Sequence, residues 1–415
     1  MRSDELERSG NRLAKRKAMK NVMKKVALVI GVVIVLLAGF LALPSNYYLR
    51  QALIHLQPKI DQYPIFDNRL IVAAEPTPWP VADGYNRLSL PEDVLPGFEQ
   101  FETVAYVVIQ DGKLLFEEYW DGYSAQSHSN SFSMAKSIVS LAIGCAIDDG
   151  FIESVDQPVR DFYPEFAEYN GKTLTIRHLL TMSAGVDFQE AYTSPFSPTT
   201  KLYYGNDLQQ VTFDMKMVEE PGVNFVYQSG VTQLLTFIVE AATGEPISDY
   251  VSRRLWTPMG AEETAVWSLD KKDGIEKAYC CFNSNARDFA RFGQLMLNEG
   301  RWGIWQLVSA DYMKEAMTPD RSLIYKEYDT PNTVYGFQFW KLSFEGMRVM
   351  YMRGILGQYV LAIPDRNAVI VRLGRKRSEE RTSQHYPMDI DLWLSTGMRV
   401  LDAAEKLAGS GDNGE

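Results

Sequence analysis

Three cysteines and four histidines are all that this 415-residue chain holds of those two residue types. Cys145, Cys280 and Cys281 are odd in number and two are adjacent, so no disulfide framework is implied. Cys145 lies in an apolar run and reads as a small core residue. His55, His128, His178 and His385 have no zinc-ligand spacing with Cys, His or a carboxylate, so neither a metal nor another cofactor is expected. Basic charge is scarce in the body. Residues 51–415 hold 32 Lys/Arg against 50 Asp/Glu, a net of −18. That argues against nucleic acid as a partner and reads as a solvated acidic surface. No internal repeat is visible, and no lipobox cysteine follows the first apolar run.

One long hydrophobic run is present. "VALVIGVVIVLLAGFLAL", residues 26–43, carries no charge. At about 1.5 Å per residue it spans roughly 27 Å, near the thickness of a bilayer core. Seven basic residues between Arg12 and Lys25 precede it. The positive-inside rule puts that segment, 1–25, in the cytoplasm and sends the body across the membrane. The length favours an uncleaved anchor over a signal peptide. The expectation is a single-pass protein of the cytoplasmic membrane, with its body on the extracytoplasmic, periplasmic side.

Residues 44–100, with "EPTPWPVADGYN", read as a linker or wrapping segment. "TVAYVVIQDGKLLFEEYWDG" gives two strands about an Asp111-Gly112 turn. Helical patterns fill about 150–300, and strands return in "RVMYMRG" and "YVLAIPDRNAVIVRLG" before a helical tail. The expected fold is α+β: an antiparallel sheet from about 101–132 and 335–410, flanked by helices, with a helical subdomain inserted. Together these make one domain over 101–410.

The chemistry centres on "NSFSMAKS". Asn130 or Ser131 is placed to cap a helix whose first turn contains Ser133 and Lys136. Positions i and i+3 share a face, so hydroxyl and amine meet. The apolar helix beyond, "IVSLAIGCAI", buries the lysine, and desolvation favours its neutral form. A neutral amine beside a hydroxyl is a base beside a nucleophile. A second S-x-x-K, Ser268 to Lys271, lies in polar turn sequence and reads as chance. "TMSAG" lacks the first glycine of a nucleophile elbow, and His178 reads as structural.

Three ordered motifs resemble the serine β-lactamase and penicillin-binding protein superfamily, on its class C β-lactamase, esterase and 6-aminohexanoate-dimer hydrolase side. They are S-x-x-K at Ser133 and Lys136, "YQS" at Tyr227 to Ser229, and "RGILGQY" near the C-terminus. The resemblance implies a Ser133 acyl-enzyme, with Lys136 and Tyr227 moving protons and a nearby ammonium lowering the phenol below its usual pKa of about 10. It implies that Ser229 helps to hold the Lys–Tyr pair or the substrate amide, a close strand approach at Gly357, and an oxyanion hole from the N–H groups of Ser133 and Gln358. The third motif departs from the family's K-T-G or H-x-G: aligned so, Ile355 replaces the cation, which favours a neutral ester or amide over a β-lactam. Hydrolysis of a β-lactam or cell-wall peptide, as a β-lactamase or carboxypeptidase, and non-catalytic ligand binding are the alternatives. Residues 189–207 are expected to shape the pocket.

Overall fold

Strand β1 (Thr103–Gln110) is buried along nearly its whole length, and β2 (Lys113–Tyr119) from Leu114 to Glu117. Continuous burial, rather than alternation, marks strands covered on both faces. The computed structural model describes residues 2–411, with side chains from 10 to 408. Two units are distinguished, Met1–Leu56 and Gln57–Glu415.

In the first unit, helix α1 covers Arg2–Ala42. Its Gly10–Ala42 part is the one helix among the described residues long and apolar enough to cross a membrane. By composition it fits a membrane anchor or a signal sequence.

In the second unit, α2 (Ala135–Asp148), α3 (Ser229–Thr243) and α4 (Ala286–Leu297) precede the late strands. These are β3 (Trp340–Phe344), β4 (Met347–Gly354), β5 (Gln358–Ile363) and β6 (Ala368–Gly374), followed by α5 (Asp389–Gly411). The six strands form one sheet in the order β3-β4-β5-β6-β1-β2, every neighbour antiparallel. Both ends of the body therefore build the sheet, as the sequence predicts. Val369 and Ile370 point to opposite faces. Val369 lies against α4 at Gly293, and Ile370 against α5 at Gly397. The Tyr106 hydroxyl donates to Trp393 O on α5 at 2.6 Å.

A smaller sheet positions the chemistry. Its order is Asn68–Ile71, Ala265–Ser268, Phe282–Ser284, Ser129–Asn130. The Pro-rich early segment thus contributes a strand. Ser129–Asn130 leads directly into the S-x-x-K turn, and Phe282–Ser284 follows Tyr279, so one short sheet anchors both the nucleophile's turn and the Tyr279 segment.

Candidate active site

Asn130 pairs with Asn283, and the Ser131 N–H donates to Phe282 O at 2.8 Å. The chain then turns sharply at Phe132, a buried residue with φ +44°. That left-handed conformation costs a non-glycine residue about 1–3 kcal/mol. Asn130 Oδ1 holds the turn by accepting the Phe132 N–H at 2.8 Å. Ser131, the other expected cap, instead donates its hydroxyl to Phe132 O at 3.0 Å. A 3₁₀ turn over Phe132–Met134 precedes α2. Tight 3₁₀ winding eclipses positions i and i+3, which brings Ser133 and Lys136 together.

Lys136 is only 1% exposed. Its Nζ lies 3.2 Å from Ser133 Oγ, 3.1 Å from Ser229 Oγ and 2.9 Å from Tyr279 O. The rings of Tyr227 and Tyr279 flank it at 5.1 and 5.2 Å. Burial pulls the amine down to about 8, against the opposing charge of Glu190. This matches the expected direction.

Tyr227 lines the cavity with Ser133, and its ring packs on Trp340 and Tyr335 at 5.6 and 5.9 Å. Its phenol is shifted upward, not downward as expected. Burial is the main cause, with the Glu190 carboxylate adding to it; the Ser133 hydroxyl and the Arg353 and Arg377 charges oppose. The expected lowering fails because burial outweighs the groups that oppose it.

Ser229 opens α3. Its hydroxyl donates to Glu190 Oε1 at 2.7 Å, and its N–H to Oε2 at 2.7 Å. Gln228 ties this corner to the loop before Glu190, donating to Val186 O at 2.9 Å and Phe188 O at 2.7 Å. The sequence does not mark Glu190 as an individual residue, although the 189–207 segment expected to shape the pocket contains it.

The third motif requires a correction. β4 ends at Gly354, which pairs with Gln358 across a hairpin. Ile355–Gly357 form its turn, with Leu356 at φ +61°, rather than a continued strand. Gly357 packs against Arg372, whose Nη1 donates to Gly357 O at 2.7 Å. Gln358 is fully buried and donates to Gly374 O at 2.6 Å. Neither residue lines the cavity; Gly354 and Ile355 do. A Cβ on Gly354 would lie 2.2 Å from Ser131 O, so Gly354 is the glycine that the close approach requires.

The cavity has a volume of about 580 Å³. Ser133, Tyr227, Glu190 and Trp340 line it, together with Arg353, Arg377 and Arg381. The Arg353 guanidinium lies 3.6 Å above the Trp340 ring, and its Nη1 is buried without a hydrogen-bond partner. Among the described residues none of these three arginines forms an ion pair. A larger cavity of about 850 Å³, around Trp79 and Trp302, contains none of the predicted site residues.

Tyr279 is followed by a disulfide joining Cys280 to Cys281, with Cα atoms 3.8 Å apart. Sequence counting gave no sign of it, because neighbouring Cα atoms lie closer than the usual disulfide range of about 4.4–6.8 Å. It cross-links adjacent residues only. His178 accepts the Thr175 N–H at 3.1 Å on Nδ1, completing a helix cap, as its structural reading requires.

The Beta-lactamase family model matches residues 92–390. The chain belongs to the Beta-lactamase family. Within it, the 6-aminohexanoate-dimer hydrolase of Paenarthrobacter ureafaciens is 28% identical over 297 residues, covering 68% of this chain and 74% of that protein. The fold is shared with a "Putative 6-aminohexanoate-dimer hydrolase from Bacillus anthracis", at TM-score 0.64 and 20% identity, covering 82% of this chain and 92% of that one. It is also shared with a family VIII carboxylesterase, at TM-score 0.59 and 16% identity, covering 77% and 98%. The chain is thus a serine hydrolase of the β-lactamase-like type.

Proposed function

We propose that this Beta-lactamase-family hydrolase cleaves an amide or ester through a Ser133 acyl-enzyme. The observation that carries the reading is the 3.2 Å separation of Ser133 Oγ from a lysine whose pKa burial lowers to about 8. Neutral Lys136 accepts the Ser133 proton as Oγ bonds to the substrate carbonyl carbon. The developing oxyanion meets the Ser133 N–H, which as a first-turn donor has no intrahelical acceptor. The Ile355 N–H, beside Gly354 at the cavity wall, takes the second donor role first given to Gln358. Tyr227, a phenol at neutral pH, gives its proton to the leaving nitrogen or oxygen as the bond to it breaks. The acyl-enzyme then holds a Lys136 ammonium and a Tyr227 phenolate. In deacylation the phenolate takes a proton from water as its oxygen attacks the acyl carbon. Lys136 returns its proton to the departing Ser133 Oγ, and both groups are restored.

The arginines change the substrate expectation. Ile355 alone favours a neutral substrate, but Arg353, Arg377 and Arg381 border the same cavity with no carboxylate partner. Guanidinium groups match carboxylates in planar, two-point geometry. A linear amide or ester bearing a carboxylate is therefore preferred, and 6-aminohexanoate dimer, the compound named for the relative, is the first candidate. Helix α1 anchors the chain in the cytoplasmic membrane, and residues 101–410 form the hydrolase domain on the extracytoplasmic side.

A panel of p-nitrophenyl acetate, 6-aminohexanoate dimer and a chromogenic cephalosporin, run on wild type and Ser133→Ala, tests this. Turnover of the ester and linear amide by wild type alone is expected. Equal rates in the two proteins would overturn the reading, and rapid cephalosporin turnover would overturn the substrate assignment.

A further inference from the structure

Lys136, Ser229 and Glu190 form a chain whose direction can be read from donor counting. Ser229 has one hydroxyl proton, and Glu190 Oε1 accepts it at 2.7 Å. Glu190 Oε2 accepts the Ser229 N–H at 2.7 Å, so the carboxylate grips the residue at both points. Tyr192 donates its hydroxyl to the same Oε1 at 2.5 Å and steadies the carboxylate. A carboxylate is also well placed at the N-terminus of a 15-residue helix such as α3. With its proton committed to Glu190, Ser229 faces Lys136 with lone pairs only. A neutral amine has two N–H donors and one lone pair. The donors go to Ser229 Oγ at 3.1 Å and Tyr279 O at 2.9 Å. The lone pair is left for Ser133 at 3.2 Å.

We propose that Glu190 is a positioning residue that polarises Ser229 and thereby aims the Lys136 lone pair at Ser133. The inference rests on the acyl-enzyme reading above. Without the carboxylate, the Ser229 hydroxyl is free to donate to Lys136, occupying the lone pair and turning the base away. Glu190 has a second effect. The groups around Lys136 are Ser133 from its own turn, Ser229 from α3, the Tyr227 ring, and the Tyr279 ring and carbonyl; Glu190 supplies the charge acting on the amine. That charge favours the ammonium, so its removal lowers the lysine pKa further below about 8.

The test is the rate at which a fluorophosphonate probe modifies Ser133 in the full chain, followed from pH 5 to 10. Glu190→Gln is expected to lower the plateau about tenfold or more, since aligned proton transfer is worth roughly 10²–10⁴. Its acid limb is expected to move to lower pH. Glu190→Asp keeps the charge but shortens the reach, so it lowers the plateau and leaves the limb in place. In a Ser229→Ala background, Glu190→Gln is expected to change the plateau less than about threefold, because the two act as one unit. A purely structural role would lower the plateau without moving the limb. An unmoved limb in Glu190→Gln, or an equal plateau loss with and without Ser229, would overturn the proposal while wild-type labelling keeps the acyl-enzyme reading. Absence of any label on wild-type Ser133 would overturn both.

Discussion

On the helical wall of the Ser133 cavity, Lys136, Ser229 and Glu190 direct their polar atoms to neighbouring protein groups at 2.7–3.2 Å. On the strand wall, Arg353 leaves Nη1 buried and unpartnered; Arg353, Arg377 and Arg381 border the cavity together with Glu190 and Glu327, and among the described residues none of the three arginines is in an ion pair. A fully satisfied polar network is rigid and holds reacting groups in one geometry. An unpaired buried donor is costly, and an incoming acceptor relieves that cost. Under the proposed mechanism, the first wall carries the reaction and the second the recognition.

Removing the base should break the first wall most severely. Lys136→Met is expected to lower kcat for p-nitrophenyl acetate by about a thousandfold or more, because nucleophile and base act as one unit. Steady-state kinetics beside a circular-dichroism check of folding measures it; a loss under tenfold would remove the lysine from the chemistry.

Next in size is the seam between the walls. Gly354→Val places a Cβ where Ser131 O lies 2.2 Å away, so the strand must retreat from the nucleophile's turn. A displacement of about 1 Å at a reacting centre costs roughly a hundredfold. The expected result is a fall in kcat of that order with smaller change in KM.

The smallest effect sharpens the comparison rather than breaking it. Arg353→Met should raise KM for a carboxylate-bearing substrate by about tenfold or more, the worth of a charge-assisted hydrogen bond. It should leave a neutral acetate ester within about twofold. Equal losses on both substrates would make Arg353 a structural group packed on Trp340.

The same division separates what the sequence reveals from what it hides. Ser133 and Lys136 are legible because i,i+3 geometry is local to one helical turn. The sheet is legible because its strands are long apolar runs on either side of a helical middle. Gly357 and Gln358 mislead because the end of β4 is set by pairing with β5, a non-local event; the hairpin turns at Ile355, and Gly354 becomes the close-contact residue. The Tyr279 carbonyl is a backbone atom and has no residue signature. Glu190 reaches Ser229 only because the 186–190 segment is pinned by Gln228. The upward shift of Tyr227 also comes from burial by Trp340 and Tyr335, distant in sequence.

The central claim is that neutral Lys136 activates Ser133. The most direct measurement is peptide-level mass spectrometry of the fluorophosphonate-treated folded protein, with the labelling rate followed against pH. The base must be deprotonated to act, so the rate should rise with pH and level off above about 8, the value set by burial of Lys136. The account predicts one adduct, on Ser133, with that profile and with labelling lost in Lys136→Met. An adduct on a different residue, or a Ser133 rate that stays flat from pH 6 to 10, would contradict it.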